Sequence, residues 1–162
     1  MMAALALIGR DNSRTPMQWD ASRYAGFTPA DAATEPWIGV NPNHVEINAA
    51  EEFDDPDSVY GFYKKLIAMR HNNATIATGE WNLVAADSEQ VYSFTRTSGD
   101  DTILVIVNLT DKTAQVPAEV AQLLEDGVGE SQVLLSTYDA VHSVKSVARG
   151  ELARWEGVVI QL

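Results

Sequence analysis

The sequence predicts an α+β fold in which a long loop and one amphipathic helix precede a C-terminal antiparallel β-sandwich. Three changes of rhythm along the chain carry that reading. Residues 9–53 hold no sustained period, and residues 59–70 repeat apolar side chains at helical spacing. From Thr75 onward, short β-rich runs alternate with turn residues. The expected division is therefore residues 1–74 for loop and helix and residues 75–162 for the sandwich, the part expected to be stable on its own.

Each element has a local reason. Met1 to Ile8 is apolar but has no basic flank and is far too short to span a bilayer, so it reads as a truncated helix or strand at a cut boundary. Gly9, Pro16, Gly26, Pro29, Pro36, Gly39 and Pro42 then punctuate one long connection. Loops this long inside a domain are usually functional or disordered. Phe27, Trp37, Ile38, Val40 and Ile47 give this one apolar anchors that need a surface to pack on.

Asp54-Asp55-Pro56-Asp57-Ser58 reads as a helix start, with Asp55 as the cap and Pro56 in the first helical position. Val59, Phe62, Tyr63, Leu66, Ile67 and Arg70 form one face, and Asn72-Asn73 closes the helix. Strands are expected at 80–86, 91–98, 102–109, 114–116, 132–137 and 152–162, with a short helical turn at 117–124 before Gly127-Val128-Gly129. Asp87-Ser88-Glu89 and Ser98-Gly99-Asp100-Asp101 stand at hairpin distance. Thr102 to Val107 is almost continuously apolar, as a central strand covered on both faces requires.

Composition narrows the function classes. A free-standing (β/α)8 barrel needs roughly 200 residues or more, and this chain has 162. A net charge of −12 argues against nucleic acid and anionic membranes as partners, because phosphate contacts need clustered Lys and Arg. With no cysteine there is no disulfide framework or thiolate site, which fits a cytoplasmic protein. His44, His71 and His142 are scattered and support neither a triad nor a zinc site. The acidic run from Glu46 to Asp57 lacks the spacing of a calcium loop and reads as a solvated cap. No metal or cofactor is expected, since no phosphate-cradling glycine pattern occurs.

The most informative stretch is Arg10-Asp11-Asn12-Ser13-Arg14-Thr15-Pro16-Met17-Gln18-Trp19-Asp20. It gathers fixed charge, hydrogen-bonding side chains and an indole, and Pro16 rules out a continuous helix, so it suits a loop lining a ligand site. RDNSRTPMQWD resembles a segment of the oligo-1,6-glucosidases and related α-glucosidases of the α-amylase superfamily, glycoside hydrolase family 13. The likeness continues through AGFT at 25–28, EPWIGVNPNHVEIN at 35–48 and DSVYGFYKKLIAMRHNN at 57–73. Beyond about residue 76 only strand rhythm and position support it.

The resemblance implies that residues 1–74 are a remnant of a (β/α)8 barrel, the loop after strand eight plus helix eight, with a small β-sandwich following. The chain then looks like the C-terminal piece of an enzyme. Retaining glycoside hydrolysis needs two carboxyl groups about 5–5.5 Å apart. In this family the nucleophile, the acid/base and a third, stabilising aspartate come from strands four, five and seven, upstream of the matched segment. No catalytic residue is therefore expected here, and the isolated chain is expected to be inactive.

By the same resemblance Arg14 is the first candidate to hydrogen-bond hydroxyls of the substrate glucose, with Arg10 and Asp11 second. A guanidinium suits that task because its planar fork holds several donors at fixed angles. Trp19 and Trp37 are expected to anchor the loop against the barrel or the helix, and Trp81 and Trp155 to lie in the sandwich core. The competing reading is a carbohydrate-binding or protein-association module without chemistry. Under either, Val59, Phe62, Tyr63 and Leu66 with Trp37 and Ile38 form an orphaned apolar face, and self-association through it, repacking onto the sandwich or disorder of residues 1–53 is expected.

Overall fold

A computed structural model describes residues 9–126, 132–138, 147 and 150–162. The expectations for Met1 to Ile8, Gly127-Val128-Gly129 and His142 lie outside these residues. Backbone contacts divide the chain into two units, between Lys65 and Leu66.

In the first unit the long connection is locally ordered. Asp11–Ser13 and Pro42–Val45 form single 3-10 turns, and Ala49–Phe53 is a short helix, α1. The sequence reading of one unbroken loop missed α1. Its signal is Asn48-Ala49-Ala50-Glu51, a capping-box spacing in which the Asn48 side chain accepts from Glu51 N at 3.1 Å. Helix α2 spans Val59–Asn72. Its cap is Ser58, not Asp55. The Asp55 carboxylate accepts from Asp57 N at 2.8 Å, which fixes a turn before the helix. Ser58 Oγ instead accepts from Gly61 N at 3.0 Å. Gly61 is needed there because a Cβ would stand 2.7 Å from the Pro56 carbonyl oxygen.

The second unit opens with the end of α2. Helix α3 follows at Ala74–Thr78, capped by Asn73, whose side chain accepts from Ile76 N at 2.9 Å. Asn73 thus ends one helix and starts the next. The strands are β1 (Glu80–Val84), β2 (Val91–Ser98), β3 (Asp101–Asn108), β4 (Ala114–Gln115), β5 (Gln132–Ser136), β6 (Glu151–Leu152) and β7 (Gly157–Gln161). Helix α4 spans Ala118–Asp126, longer than the turn expected after Pro117.

Among the described residues, β1-β2-β3-β7-β5 form one antiparallel sheet, and β4-β6 pair as a two-stranded ribbon. Both expected hairpins are present, and Gly99 turns the second with φ +62°. The apolar run of β3 is central, as expected: Ile103, Leu104 and Ile106 are fully buried. The core gathers Val91, Leu104, Ile106, Val158 and Ile160 from one face of the large sheet with Ala114, Leu152 and Val120 from the ribbon and α4. On the other face α3 lies against β2 and β3. The fold is a mixed one of helices and antiparallel sheet.

The expected strand 152–162 is in fact two. Trp155 takes φ +56° in a turn that carries the chain from the ribbon to the large sheet. Buried polar groups hold that crossing. Glu156 Oε2 accepts from Ala153 N at 2.6 Å, and Asn108 Nδ2 donates to the carbonyls of Lys112 at 2.7 Å and Ala153 at 2.8 Å. Both side chains are fully buried, where such groups require partners. An apolar period cannot reveal a turn of this kind. No helix among the described residues is long and apolar enough to cross a membrane.

Candidate functional site

The three sequence-predicted site residues come together on one 3-10 turn of the first unit. Arg10 is its cap, Asp11 opens it, and Arg14 closes it by donating its backbone N–H to Asp11 O at 3.0 Å. Ser13 holds the turn from within, its Oγ donating to Arg10 O at 2.8 Å. The side chains of Arg10, Asp11 and Arg14 are exposed, and none makes a hydrogen bond or ion pair among the described residues. Arg10 and Asp11 do not pair with each other on this turn. Two forks and one carboxylate therefore face solvent from within five consecutive positions.

The segment after the turn is tied down by residues outside the candidate site set. Gln18 and Trp19 accept, through their backbone carbonyls, from Ala49 N and Ala50 N, each at 2.9 Å. Gln18 Nε2 donates to Ile47 O. Asn48 is buried; besides capping α1 it donates to His44 O at 2.9 Å. The recognisable signal was the run of Asn and Gln side chains next to backbone-rich turns, which are local hydrogen-bond partners.

A second turn follows at Asp20 to Gly26. Ser22 N donates to Asp20 Oδ1 at 2.8 Å, and Gly26 N donates to Ser22 Oγ at 3.0 Å. Gly26 has φ +64°, and a Cβ there would stand 2.7 Å from Asp20 Oδ2, so a side chain at this position is strained. Tyr24 and Ala25 are buried beneath the turn.

The hydrogen bonds from Ser22, side chain first and backbone second, hold the Asp20 carboxyl below the usual carboxylate range, with a smaller contribution from His44. A depressed folded-state pKa means that the turn is supported at pH above the unfolded value, about 3.9, and loses that support as pH falls through the folded value. An NMR titration is expected to place Asp20 below a free aspartate, and the Ser22 and Gly26 amides to exchange faster once it protonates. Asp20→Asn is expected to remove that acid transition.

Trp81 and Trp155, expected in the core, are 47% and 57% exposed, which corrects the sequence reading. Trp37, expected on the orphaned apolar face, is 91% exposed. Trp19 is also half-exposed. Strand alternation places Trp81 on the sheet face opposite the core, and Trp155 occupies the crossing turn. The acidic run of Glu46 to Asp57 acts locally, as expected of a cap. Beyond the Asp55 turn, Glu52 Oε2 accepts from Tyr60 N at 3.1 Å in the first turn of α2.

Comparison with known proteins agrees with the loop motif. Residues 1–79 match the family model described as alpha amylase, catalytic domain. The chain is 39% identical over 156 residues to the oligo-1,6-glucosidase of Parageobacillus thermoglucosidasius, covering 95% of this chain and 26% of that protein. It is 35% identical over 146 residues to the glucan 1,6-alpha-glucosidase of Streptococcus pneumoniae serotype 4, covering 86% and 26%. Among solved structures, the trehalose-6-phosphate hydrolase of Bacillus licheniformis superposes with a TM-score of 0.75 at 34% identity, covering 94% of this chain and 26% of that one. A trehalulose synthase superposes at 0.74 with 33% identity, covering 99% and 27%. The chain spans about a quarter of the length of the curated relatives it matches. With the intact motif at Arg10 to Asp20, these likenesses establish that the chain belongs to the α-amylase superfamily, glycoside hydrolase family 13, as a segment similar to part of the oligo-1,6-glucosidases.

Proposed function

We propose that the chain is the C-terminal part of a glycoside hydrolase that cleaves α-glucosidic bonds in short isomalto- or malto-oligosaccharides. In this reading it supplies substrate recognition and no catalytic carboxylate. Arg14 is the principal sugar-binding residue, with Arg10 and Asp11 beside it. The observation that supports this most directly is the single turn that presents all three side chains without partners among the described residues. Hydroxyl groups of a sugar are matched by such unpaired donors and a carboxylate acceptor. Residues 1–74 then represent the barrel remnant and residues 75–162 a β-sandwich, built from the five-stranded sheet with the β4-β6 ribbon and α4 against it. A cytoplasmic setting, expected from a cysteine-free sequence, belongs to the same proposal.

The test compares two proteins on a chromogenic α-glucoside. The purified chain is expected to release no chromophore, with Arg14→Ala as a control for contaminating glucosidase. A chimera carrying this chain in place of the matching quarter of the Parageobacillus thermoglucosidasius oligo-1,6-glucosidase is expected to hydrolyse it. Activity of the chain alone that disappears in the variant overturns the assignment of the carboxylates to other strands.

A second reading, an association module, is favoured by one observation. In the first unit the described apolar side chains that are buried are Pro16, Tyr24 and Ala25, whereas Trp37, Val59 and Tyr63 are each more than 60% exposed. No residue of α2 is buried. Exposed apolar surface drives association, so the chain is expected to form oligomers that grow with concentration in light scattering. Val59→Glu with Tyr63→Glu is expected to return it to a monomer.

A further inference from the structure

Two arginines of the second unit converge on one backbone oxygen. Arg96, in β2, donates from Nη2 to Ala77 O at 3.2 Å. Arg70, in the last turn of α2, donates from Nη2 to the same oxygen at 3.5 Å and from Nη1 to Ile76 O at 3.3 Å. Neither has a carboxylate within 4.0 Å among the described residues, where the ion pairs are Arg23–Glu35 and Lys65–Asp57. Asp101 is engaged otherwise, accepting from Thr75 Oγ1 and Gln161 Nε2. Arg96 Nε is buried and bonds nothing among the described residues, where the Ala77 carbonyl is the acceptor offered to that guanidinium.

The end of α3 accounts for part of this arrangement. Its last carbonyls attract cations, but a helix C-terminus carries only about half an elementary negative charge, and α3 has five residues. Two full positive charges meet there. Like charges held this close repel, and the repulsion is removed most directly by an anion bridging both forks in charge-assisted hydrogen bonds. Arg70 is exposed and Arg96 half-buried, so solvent species reach the pair. The chain as a whole carries a net charge of −12, which makes two uncompensated guanidiniums at one point an exception to its surface.

We propose that Arg70 and Arg96 form an oxyanion site that takes a carboxylate or phosphate group in a bridging position. This site is independent of the sugar-binding reading of Arg14. The forks match the paired oxygens that these anions share, while chloride offers a single spherical charge.

The full chain is titrated with sodium acetate and, separately, sodium phosphate at constant ionic strength set with sodium chloride, following the arginine side-chain NMR signals. Saturable shifts of Arg70 and Arg96 are expected, and the tighter of the two anions identifies the source as a carboxylate or a phosphate. Arg70→Gln, at an exposed position, is expected to keep the fold and weaken the tighter anion about tenfold, the size of one hydrogen bond to a charged group. Arg70→Lys is expected to recover part of that loss. No saturable shift with either anion, or equal affinity in wild type and Arg70→Gln, overturns the proposal and leaves the pair as a cap on α3.

Discussion

Arg14→Ala in the chimeric oligo-1,6-glucosidase is expected to lower kcat/KM about a hundredfold or more, the loss of two hydrogen bonds from a charged donor to sugar hydroxyls. The 3-10 turn does not depend on this side chain, because it closes through the Arg14 backbone N–H and through Ser13 Oγ. The substitution therefore removes donors without removing their scaffold. Arg10→Ala is expected to cost about tenfold, as one such bond would, and Asp11→Asn to fall between these. A contact made equally in the bound substrate and in the transition state changes KM alone, whereas one that strengthens in the transition state lowers kcat. Full kcat/KM in Arg14→Ala would remove Arg14 from the site. Circular dichroism of each chimera separates a lost contact from a lost fold.

Leu104→Ala is expected to destabilise the second unit by about 2–5 kcal/mol, the range for truncating a buried leucine to leave a cavity. Leu104 is fully buried in the middle of β3, with Thr95 opposite it on β2 and Ile160 opposite it on β7. It packs in a cluster that draws on both sheets and α4, so few neighbours can collapse into the space without disturbing a strand. Urea unfolding followed by the unit's own tryptophans, Trp81 and Trp155, reads the loss as a lower midpoint with an unchanged slope. Val59→Ala in α2 is the contrast. Val59 is 67% exposed, and its truncation is expected to stay within about 0.5 kcal/mol of wild type. Equal losses at the two positions would mean that α2 is covered in solution by a partner surface.

The sequence alone determined the elements whose signals are local. The hairpins at 87–89 and 98–101, the central strand and the amphipathic helix follow from period and turn chemistry, which act between near neighbours. The candidate-site turn was legible for a different reason. Its charge density and eleven-residue motif stand out without reference to any contact, and the turn then brings Arg10, Asp11 and Arg14 together because one 3-10 turn spans them.

What escaped the sequence was decided by partners far along the chain or by competition between adjacent groups. Asp55 and Ser58 are both good caps, and the choice between them came from the close approach that Gly61 permits. Whether Trp81 enters the core depended on which sheet face the ribbon and α4 cover, a question that alternation poses and only packing answers. The break at Trp155 depended on Asn108 reaching Ala153, forty-five residues away. Such a bond leaves no period in the sequence, because it satisfies one buried polar side chain and repeats nowhere else. Tertiary structure alone also joined Arg70 to Arg96, which lie in a helix and a strand and share nothing in sequence except the Ala77 carbonyl on which they meet.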